Sequence, residues 1–583
     1  MDKESLKSLV KKEWHIPFEG KIMRVIQRFT LTEKVIFLFF AGLLIISGLS
    51  LLYQVNKTFL VEVPDYGGRL VEGVIGSPRF INPILASSDI DKDLTSLVYS
   101  GLLRIDSQGE LVPDLAESYM ISPDGLIYTF ILKDNLYFQD GAKLTADDVI
   151  FTVEKAQNQF LKSPREANWS GVVVQKINDK EISFTLKQSY SPFIQSATLG
   201  ILPRHLWKDA SIEEFPFSQF NVKPVGSGPY QIDSLSYTGS GLPGQYNLKS
   251  FDKYAIGKQY ITNLTVITYQ NEKDLVSAYK NGNIDSLHSI SPKELPDLKS
   301  KGGKILLSPL PRIFAVFFNQ NMAPIFVFKE VRQALDVATD KQAIVDNILG
   351  GFGQAIDGPL PLKTITDQNA NTLSEEERTE KAKEILKAKG WVQNTDGIFE
   401  KKDKKSTTVL AFSISTGSAP ELKETALILQ KQWEKIGAKV EVKIFDIGDL
   451  NQNIIKTRKY DALLFGEIIG NDLDLYPFWH SSQRNSPGLN IAMYANLKVD
   501  KILDNLRKTK DPNDQKIELS NFNKEIANDI PAVFTYSPYF IYVIPEKVQN
   551  VKLGTLTNPS ERFSNINKWY IETNNIWKFF SKN

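Results

Sequence analysis

Residues 407–446 read TTVLAFSISTGSAPELKETALILQKQWEKIGAKVEVKIFD. Apolar and polar side chains alternate from Thr407 to Ser415, the period of a half-buried strand. Pro420 then opens a helix at a position where a missing N–H is tolerated. Leu422, Ala426, Leu429, Trp433 and Ile436 fall on one face, and Gly437 ends it. Alternation resumes from Ala438 to Asp446 through Val440, Val442 and Ile444. A strand–helix–strand unit of this kind implies a parallel pair joined by a right-handed crossover, and so an α/β fold. Tyr460–Gly466 reads as a further strand.

In open α/β sheets ligands bind beyond the carboxyl ends of the strands. The loop Asn471-Asp472-Leu473-Asp474 follows the strand that begins near Asp461. Its two carboxylates suit a ligand cation such as an amino terminus, a metal, or the capping of a turn. Tyr476, Phe478 and Trp479 come next, as expected of an apolar pocket with one polar anchor. The loop Ser415–Ala419 leaves its strand at the same edge, so the two loops are expected to share a site.

Toward the N-terminus, Val331, Leu335, Ala338, Ile344, Val345 and Ile348 make two helical stretches, re-capped at Thr339-Asp340 and stopped at Gly350-Gly351. The charged stretch Ser374–Lys389 reads as a solvated helix with Ala382, Ile385 and Leu386 facing in. Leu126–Lys133 reads as a strand entered through the turn Pro123-Asp124-Gly125. Thr145-Ala146-Asp147-Asp148 is a capping box, and Val149, Thr152, Val153, Ala156 and Phe160 are the expected inward positions of its helix. Residues 234–247, rich in Ser and Gly, read as a hairpin tip or loop.

Val35–Tyr53 is a nineteen-residue apolar run without a charge. At about 1.5 Å per residue it spans nearly 30 Å, the hydrocarbon thickness of a bilayer. Eight Lys or Arg residues precede it against five acids. The positive-inside rule then predicts residues 1–34 in the cytoplasm and the bulk of the chain outside, in the periplasm or at the cell surface. A cleaved signal peptide is the alternative; its n-region would be unusually long, and no small-x-small site stands out after Ser50. The whole chain carries +1, so about −2 remains beyond residue 34, which leaves no electrostatic footprint for nucleic acid. The 583 residues include no cysteine, which excludes disulfides, a thiolate nucleophile and an acylated cysteine anchor.

No constellation for catalysis appears. His15, His205, His288 and His480 are far apart, without ligand spacing. There is no H-E-x-x-H, G-x-S-x-G or P-loop pattern. Gly226-Ser227-Gly228-Pro229-Tyr230 reads as a tight turn before a strand, since neither Lys nor a helix-opening run follows. No cofactor, metal or enzymatic activity is expected.

One ordered series of segments resembles the peptide-type (family 5) solute-binding proteins of ABC importers, which include oligopeptide- and dipeptide-binding receptors. It comprises Asn82-Pro83, Leu97-Val98-Tyr99-Ser100-Gly101-Leu102-Leu103, Leu111-Val112-Pro113-Asp114-Leu115-Ala116-Glu117-Ser118, Ser122-Pro123-Asp124-Gly125, Phe138-Gln139-Asp140-Gly141 and Leu144–Val149. The Gly226–Tyr230 turn, Asn281–Asp285, Val331–Leu335 with Asp340-Lys341, and Asp461–Ser482 continue it in order. The resemblance covers about residues 69–583.

It implies a two-lobed clamshell that traps ligand by hinge closure, with an extra subdomain in its first lobe. The expected layout is a cytoplasmic arm (1–34), a transmembrane helix (35–53), a linker (54–69), lobe one (70–312, extra subdomain about 105–215), lobe two (313–535) and a return to lobe one (536–583). Crossovers are expected near Leu310–Asn319 and Ala532–Tyr542. It further implies that Asp472 or Asp474 meets a peptide ammonium; Leu473 stands where the family element often has Pro. The Pro78–Ser88 loop with Asn82 is expected to line the cleft, with Ser415 nearby and Trp479 or Trp169 as an apolar wall. The implied partners are a peptide, or another small solute such as an oligosaccharide or metal chelate, and an ABC permease. A monomer is expected. A membrane-bound sensor or docking protein is the rival reading, set back by the short N-terminal arm.

Overall fold

The computed structural model describes residues 26, 28–299, 302–360, 373–403, 406–470, 474–509 and 511–580. They fall into two compact units, one from Met1–Asp65 with Thr573–Asn583 and the other Tyr66–Glu572.

The first unit is built on one 29-residue helix, Leu31–Phe59, none of whose residues is buried. Its most apolar stretch has a mean hydropathy of 2.7. Thr30 caps it, its N–H and its hydroxyl both donating to Glu33 Oε2 at 2.8 Å. Strand Leu60–Pro64 follows without a loop and pairs antiparallel with Thr573–Trp577. The stretch expected as a linker, 54–69, is therefore largely ordered: helix to Phe59, then a strand, then a second strand from Gly67. Leu49–Val63 holds neither Gly nor Pro, so nothing breaks the helix early, and Val61 and Val63 favour the strand.

The second unit centres on a twelve-stranded sheet, whose main path runs in order Lys439–Phe445, Ala411–Gly417, Ala462–Ile468, Arg312–Phe318, Ala532–Pro545, Ser286–His288, Gly67–Ile75, Ile261–Tyr269, Pro243–Ser250 and Tyr230–Tyr237. Its pivot is the 14-residue strand Ala532–Pro545. One end of that strand pairs with Arg312–Phe318 and Gly353–Ala355, the other with Gly303–Pro309 and Ser286–His288. The sheet thus has two halves, here called the first lobe (strands before residue 310) and the second lobe (strands from Arg312 to the start of the pivot). The chain passes between them at residues 309–312 and within the pivot. A separate four-stranded sheet, Ala116–Ile121, Ile127–Leu132, Glu181–Thr185 and Val173–Asn178, packs into the first lobe's core.

The strand–helix–strand unit forms as its period predicts. Helix Pro420–Lys435 buries Leu422, Ala426, Leu429 and Trp433 against the second lobe's sheet. Each large apolar side chain fully buried contributes about 1.5–3 kcal/mol. Trp433 Nε1 donates to the Leu335 carbonyl (3.0 Å) and to Thr339 Oγ1 (3.1 Å). Ala411–Gly417 and Lys439–Phe445 pair in parallel, and Gly437 turns the chain at φ +88°. The expected strand 407–415 is divided, however. Thr407–Val409 pairs with Phe399–Lys402 in a small three-stranded sheet, and only Ala411–Gly417 joins the large one. The fully buried Leu410 stands between them, its N–H donating to the Phe399 carbonyl.

Helix Ala146–Ala156 starts at the Thr145 capping box and buries Val149, Thr152, Val153 and Ala156. Phe160 corrects the expected inward face: the helix has ended, and this ring is 85% exposed. Asn158 is the cause, its side chain accepting from Phe160 N and starting a new turn.

Candidate ligand-binding site

The first lobe presents a cavity of about 370 Å³. Its floor comes from helix Asp89–Val98 and the chain leaving it. Ser88 and Asp91 form a capping box at the start of this helix. Asp91 Oδ1 also accepts from the N–H groups of Arg79 and Phe80, which ties the incoming loop down. That loop is held from behind by the fully buried Asn82. Its amide accepts from Ile84 N (2.9 Å) and donates to Asn221 Oδ1 (3.0 Å). The loop's Pro83 and Ala86 thereby reach the cavity wall.

The glycines of the Gly226–Tyr230 turn press on the same floor. A Cβ at Gly226 would stand 2.1 Å from the Val98 carbonyl oxygen, and one at Gly228 2.6 Å from the Val98 carbonyl carbon. Only glycine permits the contact, and Gly228 N–H donates to that oxygen at 2.7 Å. The turn so fixes Tyr99, which lines the cavity.

Further wall comes from Trp169, 2% exposed, and from the segment Thr557–Asn567, which returns from the pivot strand. This segment is anchored by Arg562, fully buried between Asp93 (2.7 and 2.8 Å) and Glu72 (Nε, 3.1 Å). Burial alone would raise the Asp93 carboxyl, but Arg562 and His288 outweigh it and bring it down to about 2. Tyr542 adds a hydrogen bond to Glu72 (2.9 Å). A carboxylate–guanidinium cluster so deep is strongly destabilising to break. It locks helix, sheet and returning segment into one wall.

Cations and acids both line this cavity. Lys92, Arg104 and Arg165 reach it, and among the described residues none makes an ion pair within 4 Å. Asp114 and Glu561 are the acids. Burial, against the pull of Arg104, holds the Asp114 carboxyl up at about 6. Four buried polar atoms of the lining, Thr95 Oγ1, Tyr99 OH, Arg104 Nε and Asp114 Oδ1, find no protein partner. Such groups are normally satisfied, so the wall offers donors and an acceptor to a bound polar molecule.

Gly470, at the end of strand Ala462–Ile468 and its exit, brings the second lobe to the same cavity. A second pocket of about 220 Å³ adjoins, with Gln195 lining both. Here the lobes touch. Asp474 accepts from Arg507 Nε (3.0 Å) and Nη2 (2.7 Å), both in the second lobe, and from Tyr190 OH of the first lobe (3.1 Å). Arg507 lies 3.8 Å over the Tyr476 ring.

Of the residues expected at the site, Trp169 lines the large cavity, while Asp474 lines the smaller pocket with its carboxylate already held by Arg507. Asp472 lies outside the described residues. Asn82 supports the lining loop from behind, and Ser415 is buried in its strand without reaching either pocket. Trp479 is corrected from cleft wall to core. It is fully buried among Phe317, Phe522 and Phe534, because the short helix Tyr476–Trp479 turns it inward. Tyr99 and Asp114 lie inside the family-like segments and were open to detection; Lys92, Arg104, Arg165 and Glu561 carry no local signal.

The model of the bacterial extracellular solute-binding proteins, family 5, matches residues 110–488. The chain belongs to this family. It is 29% identical over 517 residues to the oligopeptide-binding protein AppA of Bacillus subtilis, covering 87% of this chain and 92% of that one. It is 26% identical to di/tripeptide-binding protein 3 of Pseudomonas aeruginosa, over 76% of this chain and 84% of the relative. Among solved structures, the AppA complex with a nonapeptide matches with a TM-score of 0.65 at 27% identity, covering 88% of this chain and all of that one. NikZ of Campylobacter jejuni, in complex with Ni(L-His), matches at 0.66 and 28%, over 86% and 99%. The family fold is the two-lobed α/β clamshell, and the cavity and the Tyr190–Asp474 contact lie where its lobes meet. Among the described residues no group of three His, Cys, Asp or Glu side chains is placed to hold a metal.

Proposed function

We propose that this family 5 receptor captures peptides between its lobes and hands them to an ABC permease while the helix Leu31–Phe59 holds it to the membrane. The observation that carries the ligand class is the mixed wall of the 370 Å³ cavity, where Lys92, Arg104 and Arg165 face one space with the buried Asp114 and the part-buried Glu561, and four buried polar atoms lack a protein partner. A peptide brings both charges and a row of amide donors and acceptors. Asp114 is placed to meet the ammonium end; Lys92, Arg104 and Arg165 face the carboxylate end or acidic side chains. Capture is lobe closure without covalent chemistry. The kinship to peptide binders supports this reading, and the length and apolar character of the helix Leu31–Phe59 support the tether.

The test is thermal melting of the full chain in nanodiscs against four probes: a tripeptide pool, a nonapeptide pool, nickel–histidine chelate and a maltooligosaccharide. A peptide at one hundred times its Kd adds about 2.7 kcal/mol of linkage. A midpoint raised by the chelate or the sugar alone would overturn the peptide assignment.

A further inference from the structure

We propose that the segment from Thr573 to Phe579 is a second membrane contact, seated in the outer polar–apolar boundary of the bilayer beside the end of the helix Leu31–Phe59. This rests on the reading of that helix as a membrane tether. The helix is longer than its apolar run: 29 residues extend about 44 Å, against about 30 Å of hydrocarbon. With Val35–Tyr53 in the hydrocarbon, the residues from Gln54 to Phe59 rise about 9 Å through the headgroups. Strand Leu60–Pro64 continues directly from there, and its antiparallel partner sends the chain back. Pro64 pairs with Thr573, farthest from the helix, and Leu60 pairs with Trp577, beside its last turn. The 3-10 turn Lys578–Phe580 follows Trp577 directly.

What gathers at this level is the chemistry of a membrane interface. Phe59 and Trp577 stack with centroids 6.2 Å apart and planes at 21°. Both are about half exposed, and Phe579 is 90% exposed. Lys57 lies in the last turn of the helix and Lys578 begins the 3-10 turn. Trp and other amphipathic or aromatic rings favour the headgroup level, and Lys reaches past them to the phosphates. In water the half-exposed Phe59–Trp577 stack would leave apolar surface to solvent; in the interface these rings have a place. Two points of attachment, helix and returning strand, would hold this unit upright.

The chain has no cysteine, so single-cysteine nitroxide labels read one site each. Full-length protein in phosphatidylcholine–phosphatidylglycerol nanodiscs would carry the label at Ser50→Cys, Asn574→Cys or Phe579→Cys. Collision rates with oxygen and with a water-soluble nickel complex give depth. The expected result is a deep signal at 50, a water signal at 574, and an oxygen-to-nickel ratio at 579 several-fold above that at 574. A ratio at 579 equal to that at 574, with 50 deep, would overturn this contact and leave the tether intact. A water signal at 50 would remove the tether itself.

Discussion

Asp114 is a buried carboxyl that the fold holds near neutrality. Burial raises it to about 6, from an ordinary 3.8. Between these values the unfolded chain ionises the group and the folded one does not, so the contribution of Asp114 to ligand-free stability is fully present below 3.8 and is lost as pH rises through about 6. Asp114→Asn should therefore raise the ligand-free melting midpoint at pH 7 and leave it unchanged near pH 3. An ammonium ligand reverses the balance, since it binds the ionised form. Affinity for free-amine peptides should strengthen as pH rises through about 6. A hydrogen bond to a charged group is worth about 1.5–3 kcal/mol, so the Asn variant should bind these peptides roughly ten- to one-hundred-fold more weakly. N-acetylated peptides should show no such loss. Titration calorimetry at pH 5 and 7.5 measures both, and superimposable curves for parent and variant would take Asp114 out of the site.

Elements whose partners are local were legible; those whose partners are distant were less so. Helix Pro420–Lys435 carries its Pro start, one apolar face and its Gly stop in sixteen residues and their neighbours, and it forms as read. The helix after Thr145 was legible in its cap but not in its end, because an apolar ring at Phe160 fits the period while Asn158 has already redirected the backbone. Alternation from Thr407 to Ser415 states the strand but not which sheet receives it, and Leu410 divides it between two. The Gly226–Tyr230 turn is the reverse case: its place before a strand was legible, but its load on Val98 was not. Gly228→Ala puts a methyl 2.6 Å from a main-chain carbon with main chain on both sides, so the turn must move. Overpacking of this kind costs typically about 1–3 kcal/mol. Gly239→Ala, with nothing within 4 Å of its new methyl, should stay within about 0.5 kcal/mol of the parent. Urea midpoints of the two variants compare them directly, and equal midpoints would mean the contact bears no load.

At the scale of the whole molecule the site is an assembly of residues that only the closed topology brings together. The Pro78–Ser88 loop contains the family-like Asn82-Pro83 and was legible for that reason, whereas Trp169 was expected only as one of two candidate apolar walls. Arg104 and Glu561 face one cavity from opposite ends of the chain, and no window of sequence contains both. The same holds for the contact between lobes. Asp474 was legible as a carboxylate in a loop beyond a strand, but its grip by Arg507 and its bond from Tyr190 depend on how the lobes meet. Arg507 and Asp474 move with the second lobe; Tyr190 belongs to the first. The Tyr190 hydroxyl therefore loses its acceptor when the lobes part, whereas the ion pair survives. A bond made only on closure slows release without changing encounter. Tyr190→Phe removes this bond while keeping the ring, and for a part-buried hydrogen bond the loss is about 1 kcal/mol. The off-rate of a bound peptide should rise roughly fivefold with the on-rate unchanged, and the ligand-free melting midpoint should barely shift. Asp474→Asn should cost more, since it also leaves Arg507 without its charge partner. Stopped-flow release from the parent and both variants separates these cases. If Tyr190→Phe releases peptide at the parent's rate, the hydroxyl bond is no latch, and closure must be held by the ligand's own contacts with the cavity wall.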